Sequence, residues 1–215
     1  MLIVKLAIRN LYRNTRRTIL TVMLISFSLS ALIFTDGLVK GMSELMIENV
    51  TQSLTGEAQI HRIQYRESQE AKYYIPNSHI IEDALSKDKA IASFATRVIS
   101  GGMISSSYNV TSGGFYGVDA VKEGQVSKLK LAMTSGSYLS GKEKELIMGE
   151  SMAKLLEVGI GDRIVLTLSE VETGELTQAL FRVTGLFNFG IREIDKNLIF
   201  INIDKARKML LLKNT

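Results

Sequence analysis

The sequence predicts an α+β protein with one N-terminal transmembrane helix and stalk, followed by a mixed, mostly antiparallel extracytoplasmic domain of two small lobes. Three observations predict this fold class. Residues 18–35 carry no charge, and the residues before them are basic. Beyond residue 56, short strand and helix patterns follow one another. Because these patterns are local, they favour α+β over a doubly wound parallel sheet.

Positive charge is concentrated at the N-terminus. The chain has 26 Lys and Arg against 22 Asp and Glu, and the first 17 residues contain no acid but five of the basic residues: Lys5, Arg9, Arg13, Arg16 and Arg17. The remainder is slightly acidic, which argues against a nucleic-acid binder with a basic face. Four of them, with either Arg16 or Arg17 as the fourth, recur every three to four positions. They predict an amphipathic helix over residues 1–17 on the inner membrane face, or charges that only set orientation.

The uncharged run predicts a transmembrane helix over residues 18–36. Eighteen helical residues span about 27 Å, close to the hydrocarbon thickness of about 30 Å. Acids outnumber Lys40 after this run, so we expect the N-terminus in the cytoplasm and the main domain outside. A cleaved signal peptide is an alternative, but its apolar region is shorter, and Phe34-Thr35-Asp36 is not a small-x-small cleavage site. A buried core helix is the other alternative, since it is also apolar all round.

Periodicity and turn residues predict the elements of the first half of the domain. In order, these are a stalk helix over residues 37–55, a strand at 56–65, a helix at 76–88 capped by Asn77 or Ser78, a strand at 90–100, and a hairpin at 103–119 that turns near Thr111–Gly114.

The C-terminal half has clearer turn and helix-cap signals. The extracytoplasmic domain is predicted to cover residues 56–211. Its elements are a short strand from residue 144, a helix over 151–157 capped by Ser151, a Gly-rich turn and a strand that ends near 168, a turn at 172–175, an antiparallel strand at 178–190, a strand at 197–203, and a helix at 204–211 capped by Asp204.

Two motifs resemble catalytic or nucleotide-binding sequences but lack the residues, or the residue order, that these functions require. GSYLSGKE (136–143) nearly matches a phosphate-binding loop, but Glu143 replaces the Mg²⁺-binding Ser/Thr and a strand follows. GESMA (149–153) resembles a nucleophile elbow, but its His must follow the Ser, and His61 and His79 both precede Ser151. These histidines also lack metal-ligand spacing, and the chain has no Cys. We expect no catalysis, cofactor or metal.

Several segments carry a resemblance to a known family. LAIRNLYRNTRRTILT (6–21) resembles the cytoplasmic start of the MacB/LolC/LolE class of bacterial ABC-transporter permeases. FYGVDAVKEGQVSKL (115–129), with GSYL at 136–139, is similar to a later segment of that class. ELIMGESMAKLLEVGIGDRIVL (145–166) and FRVTGLFNFGIREIDKNLIFINIDKARKML (181–210) follow in the family's order across nearly the whole chain. Gly161-Asp162 and Asp195 favour the lipoprotein-releasing branch over the drug-exporting branch.

The resemblance implies a permease subunit of the bacterial inner membrane that extracts or exports lipoproteins or other amphiphiles. Its expected partners are a separate cytoplasmic ABC ATPase that hydrolyses the ATP, an identical or related permease in a dimer, membrane lipids, and a lipoprotein substrate or periplasmic carrier. Such a permease has three further membrane helices after its outer domain. We therefore expect this chain to be a fragment, a split subunit or a truncated form.

The resemblance also singles out one hairpin. In lipoprotein-releasing permeases, a loop after the Gly-Asp turn can protrude and grip a soluble carrier. The corresponding segment here, SEVETGELT (169–177), is short and acidic, with Glu170, Glu172, Gly174 and Glu175 as candidate partner-binding residues. A tight, solvated hairpin is the favoured interpretation.

A transport-silent, membrane-anchored module that regulates an extracytoplasmic partner such as a wall hydrolase is the alternative function.

Overall fold

The protein divides into two compact units, residues 1–50 and 51–215. The computed structural model describes Arg9, residues 11–50, Leu54, residues 56–68 and residues 70–212. Lys5 and most of the predicted basic helix therefore lie outside the described residues, as do residues 51–53 and 55 of the predicted stalk.

The first unit contains a 36-residue helix, α1 (Thr15–Val50). The stretch Thr15–Glu44 contains an 18-residue window with a mean hydropathy of 2.1, and no described part of the chain buries that window. Apolar side chains surround this helix instead of forming one stripe, unlike the surface helices of soluble domains. The helix continues through Asp36 without a break, and Lys40 pairs with that residue one turn later, at 2.9 Å. It is long and apolar enough to cross a membrane.

The second unit is built from seven strands and several short helices. The strands are β1 (Arg97–Ser105), β2 (Val110–Val118), β3 (Met133–Gly136), β4 (Glu145–Gly149), β5 (Arg163–Ser169), β6 (Leu176–Phe187) and β7 (Leu198–Asn202). The α-helices are α2 (Tyr65–Ser68), α3 (Ser78–Lys87), α4 (Ala120–Val126), α5 (Glu150–Leu156), α6 (Arg192–Asn197) and α7 (Ile203–Leu210). Short 3₁₀ turns span Ala71–Tyr73 and Lys128–Lys130.

The strands form one sheet in the order β3-β6-β4-β7-β2-β1-β5, and β5 also pairs with β6. The pairings therefore close into a ring of six strands, with β3 attached outside it. Closure depends on the length of β6, whose first half pairs with β5 and whose second half pairs with β3 and β4. Only β2–β7 and β4–β6 are parallel. The prediction of a mixed, mostly antiparallel α+β domain is confirmed, although residues 51–215 form one compact unit around this sheet and not two separate lobes.

Alternating burial divides the apolar core into two clusters on opposite faces of the sheet. Leu146 and Met148 of β4 belong to the larger cluster, beneath α5 and α7, whereas Ile147 between them belongs to the smaller one. Ile199 and Ile201 of β7 flank Phe200 in the same way. Since β4 and β7 are covered on both faces, they are uninterrupted apolar runs.

Two predicted strands were misplaced. Residues 56–64 contain no strand, and their alternation does not reflect one-sided burial, because Ile60 and Ile63 are both exposed. The strand expected at 90–100 begins only at Arg97, where pairing with Val118 starts.

The first hairpin turns at residues 106–109, not at Thr111–Gly114. The Ser106 hydroxyl accepts hydrogen bonds from the amides of Tyr108 and Asn109 and so organises this turn. Gly113 and Gly114 lie inside β2, where added Cβ atoms would be 2.8 Å from Asn197 O and 2.9 Å from the Leu198 side chain. These glycines therefore permit close packing and do not form the turn.

Helix caps also differ from expectation. Asn202, not Asp204, caps α7, and its side chain accepts from the amides of Asp204 and Lys205. Gly149, not Ser151, is the residue before α5. The helix predicted at 76–88 occupies Ser78–Lys87. A Cβ on Gly149 would overlap the backbone of Asp195, so this position favours close packing over side-chain capping.

We expect Gly149→Ala to lower the free energy of unfolding by about 1–3 kcal/mol, because the added methyl group must displace the Asp195 backbone. Chemical denaturation of the detergent-solubilised protein measures this change. Gly101→Ala is the matched control, since its Cβ would lie 3.9 Å from the nearest atom, Gly113 O. Equal stability of the two variants would contradict the close packing.

Candidate functional site

The hairpin between β5 and β6 is short and closed by its own hydrogen bonds. The Glu170 amide donates to Glu175 O at 2.9 Å, and the Gly174 amide donates to Glu170 O at 3.1 Å. Gly174 has a φ of 72°, which favours glycine. Thr173 Oγ1 donates to a Glu170 carboxylate oxygen at 2.7 Å. The segment is thus a compact turn, as the favoured interpretation predicted, with Glu172, Gly174 and Glu175 exposed.

The described members of the basic N-terminal stripe are all exposed. Arg9 and Arg13 are helical, Asn14 forms a turn, and Arg16 and Arg17 lie in the first turn of α1. No acid occupies that first turn. Cations at the positive end of a helix dipole oppose it by about 0.3–1 kcal/mol each, so these arginines do not stabilise the helix.

The residues of the rejected catalytic motifs are engaged elsewhere. Ser151 lies within α5. His61 stacks on Tyr65 with ring centroids 4.9 Å apart and shares a 2.8 Å hydrogen bond with Gln59. Glu143 forms an ion pair with Lys208, and β4 follows the phosphate-loop-like segment. Among the described residues, no group of three His, Asp or Glu side chains is placed to hold a metal ion.

The Gly161-Asp162 turn joins the helix α5 region to the sheet. Gly161 has a φ of 95°, and its amide donates to Val183 O at 2.7 Å. Asp162 Oδ2 accepts from the Gly159 amide at 2.8 Å, and its carbonyl accepts from the Val183 amide at 2.9 Å. Asp195, unlike the exposed Asp162, is buried, and it accepts from the Phe189 amide at 2.8 Å. Both family-like acids therefore hold loops in place.

A buried ion pair is the feature that sequence analysis missed. Arg97 Nε and Nη2 donate to the two carboxylate oxygens of Glu123 at 2.8 and 2.7 Å. The Glu123 side chain is 0% exposed and that of Arg97 is 11% exposed. Nη1 of Arg97 donates to the carbonyl of Leu54, whose side chain is also buried. The signal in the sequence is a single Arg inside the largely apolar segment 90–100.

Tyr138 is half-buried near this ion pair, and its hydroxyl oxygen is fully buried. Burial raises the pKa of the Tyr138 phenol, and the negative charge of Glu123 raises it further. Its hydroxyl group has no hydrogen-bond partner among the described atoms. The surroundings of Glu123 are therefore poorly solvated, and Arg97 supplies the charge that compensates it.

A second ion pair connects α3 with α4. Lys122 Nζ lies 3.0 Å from Glu82 Oε2, and Thr96 Oγ1 donates to Glu82 Oε1 at 2.8 Å. Burial alone would raise the pKa of Glu82, but the hydrogen bonds from Thr96 and Lys122 outweigh it and lower this pKa. Glu82 thus stabilises the fold in its charged form.

A groove of about 970 Å³ lies beside this second ion pair. Aromatic and aliphatic side chains provide much of its lining, among them Tyr65, Tyr73, Tyr74, Ile81 and Phe94. The groove is bounded by residues from 56–99 and by the segments around α4 and α7. Its lining contains no constellation of nucleophile, base and orienting acid.

Comparison with known proteins gives one family match and several partial similarities. The model of the MacB-like periplasmic core domain matches residues 18–214. The lipoprotein-releasing system transmembrane protein LolC of Xylella fastidiosa, in strains 9a5c and Temecula1, is 31% identical over 100 residues, which is 44% of this chain. The matched segment covers 24% of LolC, so this chain corresponds to a minor part of those relatives.

A solved structure shows a more distant similarity. It is the extracellular domain of the noncanonic ABC-type transporter YknZ from Gram-positive bacteria. The match is 13% identical, covers 65% of this chain and 68% of that one, and has a TM-score of 0.47.

The lowered pKa of Glu82 predicts a pH dependence of its contribution to stability. The folded-state pKa lies below the unfolded value of about 4.3, so the contribution is present above that pH and is lost as pH falls through the folded pKa. We expect the difference in unfolding free energy between wild type and Glu82→Gln to shrink between pH 7 and 3. Asp83→Asn, on the same helix, removes the same charge as Glu82→Gln and is the control. A difference that is constant with pH would refute this role.

Proposed function

We propose a transport function for this chain, which belongs to the family of the MacB-like periplasmic core domain. It supplies the first span and the extracytoplasmic domain of a bacterial ABC-transporter permease that extracts or exports lipoproteins or other amphiphiles. The observation that carries this proposal is the family match from residue 18 to residue 214, which includes both the apolar helix and the ring of strands. The similarity to LolC supports the lipoprotein-releasing branch.

The proposed topology follows from charge. Residues 1–17 lie at the inner face of the inner membrane, where Arg9, Arg13, Arg16 and Arg17 meet anionic head groups. Residues 18–36 cross the bilayer, residues 37–55 form a stalk, and residues 56–211 form the extracytoplasmic domain. The charge-free stretch of α1 and the exposed arginines before it support this assignment.

The proposed mechanism separates ATP hydrolysis from cargo movement. A cytoplasmic ABC ATPase binds and hydrolyses ATP, and its dimerisation moves the membrane helices of this permease and of an identical or related second permease. The stalk then passes the displacement to the outer domain, since a continuous helix keeps its end-to-end distance. The unbroken helix from Thr15 to Val50 supports this role.

Purification of the full-length protein from membranes tests the proposed function. Mass spectrometry of the co-purified material should find an ABC ATPase, a permease and bound lipid or lipoprotein. Retention of a peptidoglycan hydrolase, with no effect of ATP on bound cargo, would favour the membrane-anchored regulatory module instead. Absence of any ATPase would reject the transporter proposal.

We expect insertion of Gly-Gly-Ser after Ser43 to abolish cargo release while the partner ATPase still binds. Three added residues with high backbone entropy interrupt the helix between span and domain. ATP-dependent cargo release from proteoliposomes measures the effect, and co-purification checks ATPase binding. The same insertion after Lys89, in an exposed turn, is the control. Normal cargo release by the variant with the insertion after Ser43 would refute the proposal that the stalk transmits the displacement.

The acidic hairpin is proposed to be a solvated turn and not the main carrier contact. Its backbone groups take part in hydrogen bonds to one another, to the hydroxyl groups of Ser169 and Thr173 and to Leu210 O, so few are left for a partner. We expect the Glu170/Glu172/Glu175→Ala variant to retain a soluble periplasmic carrier as well as wild type does in a pull-down. Loss of carrier retention, with an unchanged unfolding midpoint, would overturn this expectation.

A further inference from the structure

The buried ion pair of Arg97 and Glu123 connects β1 with α4, and its arginine also binds the chain that follows α1. Leu54 is the described residue nearest in sequence to the end of that helix, and only residues 51–53 separate it from Val50. Its side chain is buried in the smaller core cluster with Val118 and Phe200. Its carbonyl accepts the third hydrogen bond of the Arg97 guanidinium.

The geometry of Arg97 suits a junction between three segments. Arg97 is the first residue of β1 and pairs with Val118, the last residue of β2. Two of its nitrogens bind Glu123 in α4, and the third binds the Leu54 carbonyl. Its Cζ also lies 5.9 Å from the centre of the Tyr116 ring. A planar guanidinium has five donors in fixed directions, so it can hold these acceptors at once, whereas an ammonium group lacks that fixed arrangement.

Glu123 is itself held firmly. It lies in the first turn of α4, where Asp119 caps the helix by accepting from the amides of Val121 and Lys122. A carboxylate near a helix N-terminus interacts favourably with the helix dipole. Because the Glu123 side chain is fully buried, Arg97 is its compensating ion-pair partner, and the bidentate contact fixes the guanidinium orientation.

We infer that Arg97 is a positioning residue that ties the chain leaving α1 to the ring of strands and to α4. A displacement of Leu54 is then passed to β1 and α4 by hydrogen bonds and not absorbed by a loose connection. We call the hydrogen-bonded connection of Leu54, Arg97 and Glu123 the tether, and it is a property of the fold. Its role in coupling rests on the proposed transport function.

The tether is tested first on the full-length protein alone, in lipid nanodiscs without nucleotide. The double variant Arg97→Met/Glu123→Leu removes both charges together, so that neither is left buried and unpaired. We expect amide exchange of the peptide spanning residues 51–59 to become about tenfold faster, with β1 and β2 still protected. Lys122→Gln, which breaks the neighbouring ion pair to Glu82 but does not touch Leu54, should leave that peptide unchanged. Unchanged exchange in the double variant would overturn the tether.

Coupling is tested second, with the partner ATPase bound to the same nanodiscs. ATP should change the exchange rate of residues 119–126 in the wild type and in Lys122→Gln. In the double variant this change should disappear while ATP hydrolysis continues, a result that mere loss of stability does not produce. A persisting ATP-dependent change in the double variant would refute the coupling role. If no ATPase binds the wild type, the transport proposal fails, and the tether is still decided by the first experiment.

Discussion

An apolar helix that no described part of the protein covers is the constraint on which the rest of this structure depends. Residues 15–44 form backbone hydrogen bonds within the helix, but their side chains lie outside any core formed by the described residues. A lipid bilayer removes such side chains from water while requiring a segment with no unpaired backbone groups, and a helix of this length meets both demands. In the proposed topology, the arginines at its start keep that end of the helix on the cytoplasmic side.

The second unit is organised to resist deformation. Its six-stranded ring leaves few strand edges unpaired, and β4 and β7 are buried on both faces. Arg97 connects this ring to Leu54 and to α4 through one guanidinium group. A buried ion pair is a costly way to hold a fold together, since desolvation offsets most of its attraction. Its position at the entry of the chain into the sheet explains its presence better than stability does.

The sequence predicted those features that depend on local patterns. The apolar run of α1, the strand–helix–turn–strand segment around β4, α5 and β5, and the hairpin at 170–175 follow from hydropathy period and turn residues. Errors arose where tertiary packing decides. Gly113 and Gly114 read as turn residues, but close contact with Asn197 and Leu198 requires them inside β2. The Arg97–Glu123 pair joins residues 26 positions apart, and no local pattern predicts that contact.

The sidedness of the proposed span is the central claim, and cysteine labelling tests it most directly because the sequence has no native Cys. Arg13→Cys and Lys89→Cys each introduce one exposed thiol, on opposite sides of α1 in sequence. Intact spheroplasts are treated with a membrane-impermeant maleimide. The account predicts that the position-89 variant is labelled and that the position-13 variant is labelled only after lysis. Labelling of position 13 in intact spheroplasts, or protection of position 89, would contradict it.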